Sequence, residues 1–118
     1  MQRPLAFRNR HRLRSAPEFE RVYRQGIRAG DALFGISALK NDHGHARLGL
    51  SIGAKAVGNA VRRNRLRRVL REHFRQSQHD LPAIDIVITA RPGARAAAND
   101  AVAASIVRLL GQIRSRCQ

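Results

Sequence analysis

Acidic residues are scarce in this chain. Eight Asp and Glu stand against 23 Lys and Arg among 118 residues, a formal net charge of +15. Carboxylates this sparse give no close pair for general acid–base hydrolysis and no donor set for a protein-held two-metal site. Cysteine is scarcer still: Cys117 stands alone and cannot form an internal disulfide. That usage fits a reducing, cytoplasmic compartment, and the penultimate position of Cys117 fits a chain end rather than a nucleophile. Aromatic residues are limited to four Phe and one Tyr, with no Trp. No apolar run approaches the ~18 residues of a membrane-crossing helix, so no membrane partner is expected. The first residues, MQRPLAFRNRHRLR, lack the apolar stretch of a secretory leader. There is no Walker loop, no zinc spacing, and no Ser-His-Asp or Cys-His arrangement around the five histidines. Metal ligation by side chains alone is therefore not expected.

Arginine is what the chain has in abundance. Every basic residue except Lys40 and Lys55 is Arg, whose planar fork grips phosphate at two points and stacks on bases. The charge concentrates between Lys55 and Arg75, KAVGNAVRRNRLRRVLREHFR, where Glu72 is the single acid. Apolar residues recur there at helical spacing. At about 100° per residue, Leu66, Val69, Leu70 and His73 share one side, while Asn64, Arg67, Arg68, Arg71 and Arg75 share the other. The segment reads as one amphipathic helix with an arginine face. Arg62 and Arg63 fall nearer its apolar side, in the first turn. Like charges one turn apart repel by a few tenths of a kcal/mol; a polyanion turns that repulsion into attraction, and nothing else in the chain offers comparable negative charge. Nucleic acid is the indicated partner.

Around this helix the chain reads as one α+β domain. Residues 1–14, with Arg3, Arg8, Arg10, Arg12 and Arg14 and no acid, form a basic arm expected to order on a polyanion. The domain spans 15–118. Ser15-Ala16-Pro17-Glu18 is a capping box opening a helix that carries Phe19, Val22 and Tyr23 on one face and stops at Gly26. Phe19 and Tyr23 serve either as core or as a platform for unpaired bases. Residues 27–52 read as strands, with DALFGISALK and ARLGLSI joined by Asn41 to Gly44 as an antiparallel hairpin whose polar tip carries His43 and His45. Gly58 and Asn59 lead into the arginine helix, Asn59 as its cap. Ile84–Ala90 is a central strand buried on both faces, and its Asp85 must face an arginine or an edge. Asn99 caps a last helix whose buried stripe is Val102, Ile106, Leu109, Leu110 and Ile113. The expected order is α-β-β-α-β-α, a two-layer sandwich of helices on a small sheet.

Arg63-Asn64-Arg65-Leu66-Arg67-Arg68-Val69-Leu70-Arg71-Glu72, after Lys55 and Gly58-Asn59-Ala60-Val61, resembles the RNR signature of the bacterial ribonuclease P protein component. Arg12-Leu13 with Phe19 and Tyr23, Arg47-Leu48-Gly49-Leu50-Ser51-Ile52, and Asp85-Ile86-Val87-Ile88 with Ala90-Arg91-Pro92-Gly93-Ala94 extend the resemblance over residues 10 to 113. It implies a holoenzyme in which a large RNA catalyses removal of the 5′ leader from precursor tRNA, with Mg²⁺ at the RNA active site and no obligate protein partner. It also implies a fold similar to the second domain of ribosomal protein S five, with a left-handed βαβ crossover. By position, Arg63, Asn64, Arg65, Arg67, Arg68 and Arg71 would face the catalytic RNA. Phe19, Tyr23, Phe34 and Lys55 would line the leader cleft, and Arg12, Arg14, Arg62 and Arg75 would add phosphate contacts. Ala54 stands where many relatives carry a second lysine. The alternative reading is a non-catalytic ribosomal or other structural RNA-binding protein; a nuclease in its own right is disfavoured by the missing acids.

Overall fold

The computed structural model describes residues 11–13 and 15–117; the basic arm before residue 11, and Arg14, lie outside them. Four strands and four helices follow in the order α1 (Ala16–Gln25), β1 (Ile27–Gly30), β2 (Phe34–Lys40), β3 (Arg47–Ser51), α2 (Ala54–Val57), α3 (Ala60–Ser77), β4 (Ile84–Ala90) and α4 (Asn99–Arg116). The sheet order is β1-β2-β4-β3. β1 pairs β2 and β2 pairs β4 antiparallel, whereas β3 pairs β4 parallel, Arg47 opposite Asp85.

The expected hairpin between 31–40 and 46–52 is corrected by this topology. β2 and β3 do not pair; β4 inserts between them. The physical reason lies in Ile84–Ala90, the most continuously apolar strand, which is buried along almost its whole length and takes the position with a neighbour on both edges. The hairpin that does form joins β1 to β2, with Gly30 opposite Gly35. Its turn is held by Asp31, whose Oδ1 accepts from the backbone N–H groups of Leu33 and Phe34 at 2.9 Å each.

Strand alternation sends side chains to two different cores. Phe34, Ile36, Ala38, Leu48, Ile84, Ile86 and Ile88 meet α3 and α4, forming the main two-layer sandwich. Val87 points the other way and packs with Leu13 and Val22 of the segment around α1, against Phe19, Tyr23 and Leu39. α1 therefore covers part of the opposite sheet face. Its capping box is present, Glu18 N–H donating to Ser15 Oγ at 3.3 Å. α3 is docked by Leu66, Leu70 and Phe74, each fully buried. At about 1.5–3 kcal/mol per buried side chain, these three outweigh the few tenths lost at each like-charge pair on the outer face.

Two boundaries differ from the sequence reading. The arginine helix is preceded by a separate short helix, because Gly58 at φ +106° breaks the chain between α2 and α3. Asn59 caps α3, its Oδ1 accepting from Arg62 N–H at 3.0 Å. The cap position of α4 is Ala98, not Asn99; Asn99 instead accepts a hydrogen bond from Arg65.

Candidate nucleic-acid interface

α3 presents its cationic face as a groove of about 470 Å³ lined by Asn64, Arg67, Arg68, Arg71, Glu72 and Arg75, with Arg12 across from them. Arg12 reaches this place because Arg12 bridges to Leu48 and Leu13 N–H donates to Leu48 C=O at 2.9 Å, adding this segment to the free edge of β3. His11 and Leu13 are buried, so residues 11–13 belong to the folded body rather than to the arm. Partial burial, and then the Arg12 and Arg67 guanidiniums, push the Arg71 pKa down from the ordinary arginine value. Arg71 thus sits partly desolvated, with two other guanidiniums near it.

The individual arginines are not equivalent. Arg67 donates to Asn64 Oδ1 at 3.2 Å, which holds it along the groove. Arg75 is paired with Glu72 through two hydrogen bonds of 3.0 and 2.5 Å, so much of its charge is answered within the helix. Arg65 turns away from the groove and donates to Ala97 C=O and Asn99 Oδ1, both at 3.2 Å; it tethers α3 to the start of α4. Arg63 is half-buried, and its Nε has no partner.

The expected leader cleft separates into two places. Phe19 lies against β3 so closely that a Cβ on Gly49 would stand 2.6 Å from its ring. Phe19 then lines a second groove of about 280 Å³ with Leu13, Leu48, Leu50, Arg12, Arg67 and Arg71, continuous with the first through its three arginines. Tyr23 lines a groove of about 250 Å³ on the sheet face with Arg28, Gly35, Ser37, Thr89 and Arg91. There the Tyr23 hydroxyl and Thr89 Oγ1 are hydrogen-bonded at 2.9 Å. The Arg91 guanidinium lies across the paired glycines Gly30 and Gly35, about where their side chains would be. Arg28, Ser37, Thr89 and Arg91 were not singled out from sequence. The signal for Ser37 was present: in FGISALK, period two puts Gly35 and Ser37 opposite Phe34 and Ile36.

Phe34 is corrected. It is fully buried in the core between sheet and helices, and a ring with no exposed face offers nothing to a base. Lys55 is exposed on α2, beyond the carboxyl end of β3. Asp85 is answered as expected: Arg47 donates to it through Nε and Nη2, both at 2.8 Å, and Arg47 also reaches Glu18 at 3.1 Å. Burial acts to raise the Asp85 pKa, but the hydrogen bonds from Arg47 and Asn41 outweigh it and hold the carboxyl below its ordinary value. Among the described residues no three His, Cys, Asp or Glu converge as metal ligands, and no helix is long and apolar enough to cross a membrane.

Fold and grooves together define a class: a small α+β protein whose helix, packed on a mixed sheet, carries a guanidinium-walled trough joined to an aromatic-floored one. The family model described as Ribonuclease P matches residues 7–114. The chain is 40% identical over 105 residues to the ribonuclease P protein component of Salmonella arizonae, covering 89% of this chain and 88% of that one. It is 41% identical to that of Photobacterium profundum over 81% of each. Among solved structures, the Staphylococcus aureus RNase P protein superposes with a TM-score of 0.82 at 29% identity, over 88% of this chain and 97% of that one. The RNase P protein from Thermotoga maritima does so with a TM-score of 0.77 at 30% identity, over 86% and 96%. The chain belongs to the ribonuclease P protein family.

Proposed function

We propose that this chain is the protein subunit of a ribonuclease P holoenzyme, binding the catalytic RNA and the 5′ leader of precursor tRNA while the RNA performs the cleavage. The observation that carries this reading is the α3 groove, in which Arg12, Arg67, Arg68 and Arg71 gather with Glu72 as the only acid among the described lining residues. Guanidiniums in that arrangement bind the phosphates of a folded RNA, whose charge relieves their mutual repulsion. Asn64, held in the groove by Arg67, adds an amide that hydrogen-bonds ribose or base. Arg63 flanks the groove, and Arg65 supports it from behind by fixing α3 to α4.

The leader, being single-stranded, needs stacking faces and phosphate contacts. Phe19 offers a half-buried ring beside Arg67 and Arg71, and Tyr23 offers a second ring edge beside Arg28 and Arg91. Leader nucleotides lie over these two places in our reading, with Lys55 as an outer phosphate contact. In our reading Mg²⁺ is held by the RNA and not by the protein's side chains. When bound there it supplies the activated water for phosphodiester hydrolysis. The protein's part is to lower the repulsion between two RNAs and to hold the leader.

Precursor tRNA cleavage at low Mg²⁺ tests the proposal. The purified chain alone is expected to leave the substrate intact, and addition of the protein to the catalytic RNA is expected to raise its turnover. An unchanged turnover would reject the subunit role and return the chain to structural RNA binding. Cleavage by the protein without RNA would reject RNA-based chemistry.

A further inference from the structure

A cationic pair on the other flank of α3 lines none of the three grooves. Gly58, between α2 and α3, has no side chain, and two guanidiniums converge on the resulting dent. Arg62 Nη1 stands 3.4 Å, and Arg95 Nε 3.6 Å, from where a Gly58 Cβ would be. They come from separate parts of the chain, Arg62 from the first turn of α3 and Arg95 from just after the 3₁₀ turn Pro92–Ala94, which packs on α2. Both residues are exposed, and among the described residues no carboxylate pairs with either. Lys55, exposed on α2, adds charge at the same end of the molecule. Around the α3 axis, at about 100° per residue, Arg62 lies roughly 120–180° from Asn64, Arg67, Arg68 and Arg71. The pair therefore faces a direction the main groove does not.

Two guanidiniums that reach the same dent with no paired carboxylate suit one tetrahedral anion, each donating N–H bonds to its oxygens. We infer that Arg62 and Arg95 form a clamp for a single phosphodiester of the partner RNA backbone, separate from the α3 groove, so that RNA holds α3 on two flanks. The inference rests on the RNA-binding reading above. The occupant is a polymer phosphate because the same helix already carries a polyanion trough on its opposite side, and a backbone folding past the α2–α3 junction meets Lys55 as it leaves the pair.

The test uses the full chain and the ribonuclease P RNA of the same organism, with affinity measured across a salt series. Arg62→Gln and Arg95→Gln are each expected to weaken binding and to lower the salt slope by about one. Their double variant should lose less than the sum of the singles, since both hold the same phosphate, whereas Arg62→Gln combined with Arg68→Gln should be additive. Arg62→Lys keeps the charge and loses the fork; it is expected to retain the salt slope with reduced affinity. Circular dichroism checks that each variant keeps its fold. Wild-type affinity in both Arg62→Gln and Arg95→Gln, alongside weakened binding in Arg68→Gln, would overturn the clamp and leave the RNA reading standing. Additive losses in the Arg62/Arg95 double variant would also overturn it, by showing two separate contacts. Silence in all three single variants would overturn both readings.

Discussion

Gly49 is the residue on which the aromatic groove depends. Any side chain there would collide with Phe19, whose ring atom stands 2.6 Å from the ideal Cβ position, and with Leu13 at 3.1 Å. Gly49→Ala is expected to destabilise the fold by about 1–3 kcal/mol, the usual range for overpacking. Phe19→Ala in the same chain should remove most of that penalty, as a denaturant-unfolding double-mutant cycle would show. Phe19→Ala alone should weaken binding of leader-bearing precursor more than of mature tRNA, because stacking is worth about 1–3 kcal/mol per base. Equal losses for both RNAs would confine Phe19 to packing. The sequence placed Phe19 and Tyr23 on one helical face, and they are. It did not reveal that Phe19 packs on Gly49 of β3 while Tyr23 bonds Thr89 of β4, because the partner of each ring lies far away in the chain.

Helix elements carry the next set of expectations. Gly111 sits inside α4 with nothing within 4 Å of an added Cβ. Gly111→Ala is therefore expected to stabilise the protein by about 0.5–1 kcal/mol, through lower unfolded-chain entropy and better helix propensity. A lower melting temperature in this variant would show that the backbone there needs glycine. Loss of the α1 cap in Ser15→Ala should cost about 1 kcal/mol. The arginine helix was legible from its period and its cap, down to the buried Leu66 and Leu70 and the groove-lining Arg67, Arg68 and Arg71. What period could not separate was the duty of each arginine. Arg65 tethers α4 and Arg75 answers Glu72, and both roles depend on groups that only folding or a settled rotamer brings near. Phe34 shows the converse: the resemblance assigned it to the cleft, although its alternation with Ile36 and Ala38 already pointed to the core.

The whole molecule has an acid-sensitive hinge of charge in Asp85 and Asp31. The carboxyl pKa of each is held below its ordinary value: burial opposes, but hydrogen bonds from Arg47 and Asn41, or from Ser105 and the turn backbone, prevail. A depressed folded-state pKa contributes stability above the unfolded value of about 3.9 and loses it as pH falls through the folded one. Urea midpoints should therefore drop below about pH 4, and Asp85→Asn should flatten that drop. At neutral pH the same variant should be less stable by about 1–3 kcal/mol, since a neutral amide answers Arg47 less well while Glu18 still pairs with it. Parallel curves for variant and wild type would remove Asp85 from this role. For RNA binding, about six phosphate contacts imply a roughly 10³-fold loss of affinity between 50 and 200 mM salt; a flat response would reject phosphate-led binding.

The amino-acid sequence by itself determined that the chain carries a large unbalanced positive charge, that one helix concentrates it, and that Ile84–Ala90 is central. These follow from composition and local period, which need no knowledge of the fold. Tertiary structure alone decided that β4 separates β2 from β3, that Phe19 and Tyr23 open onto different grooves, and that Arg62 and Arg95 both reach the dent at Gly58. Each joins residues distant along the chain, and strand order and side-chain meeting points are set by which buried surfaces fit together.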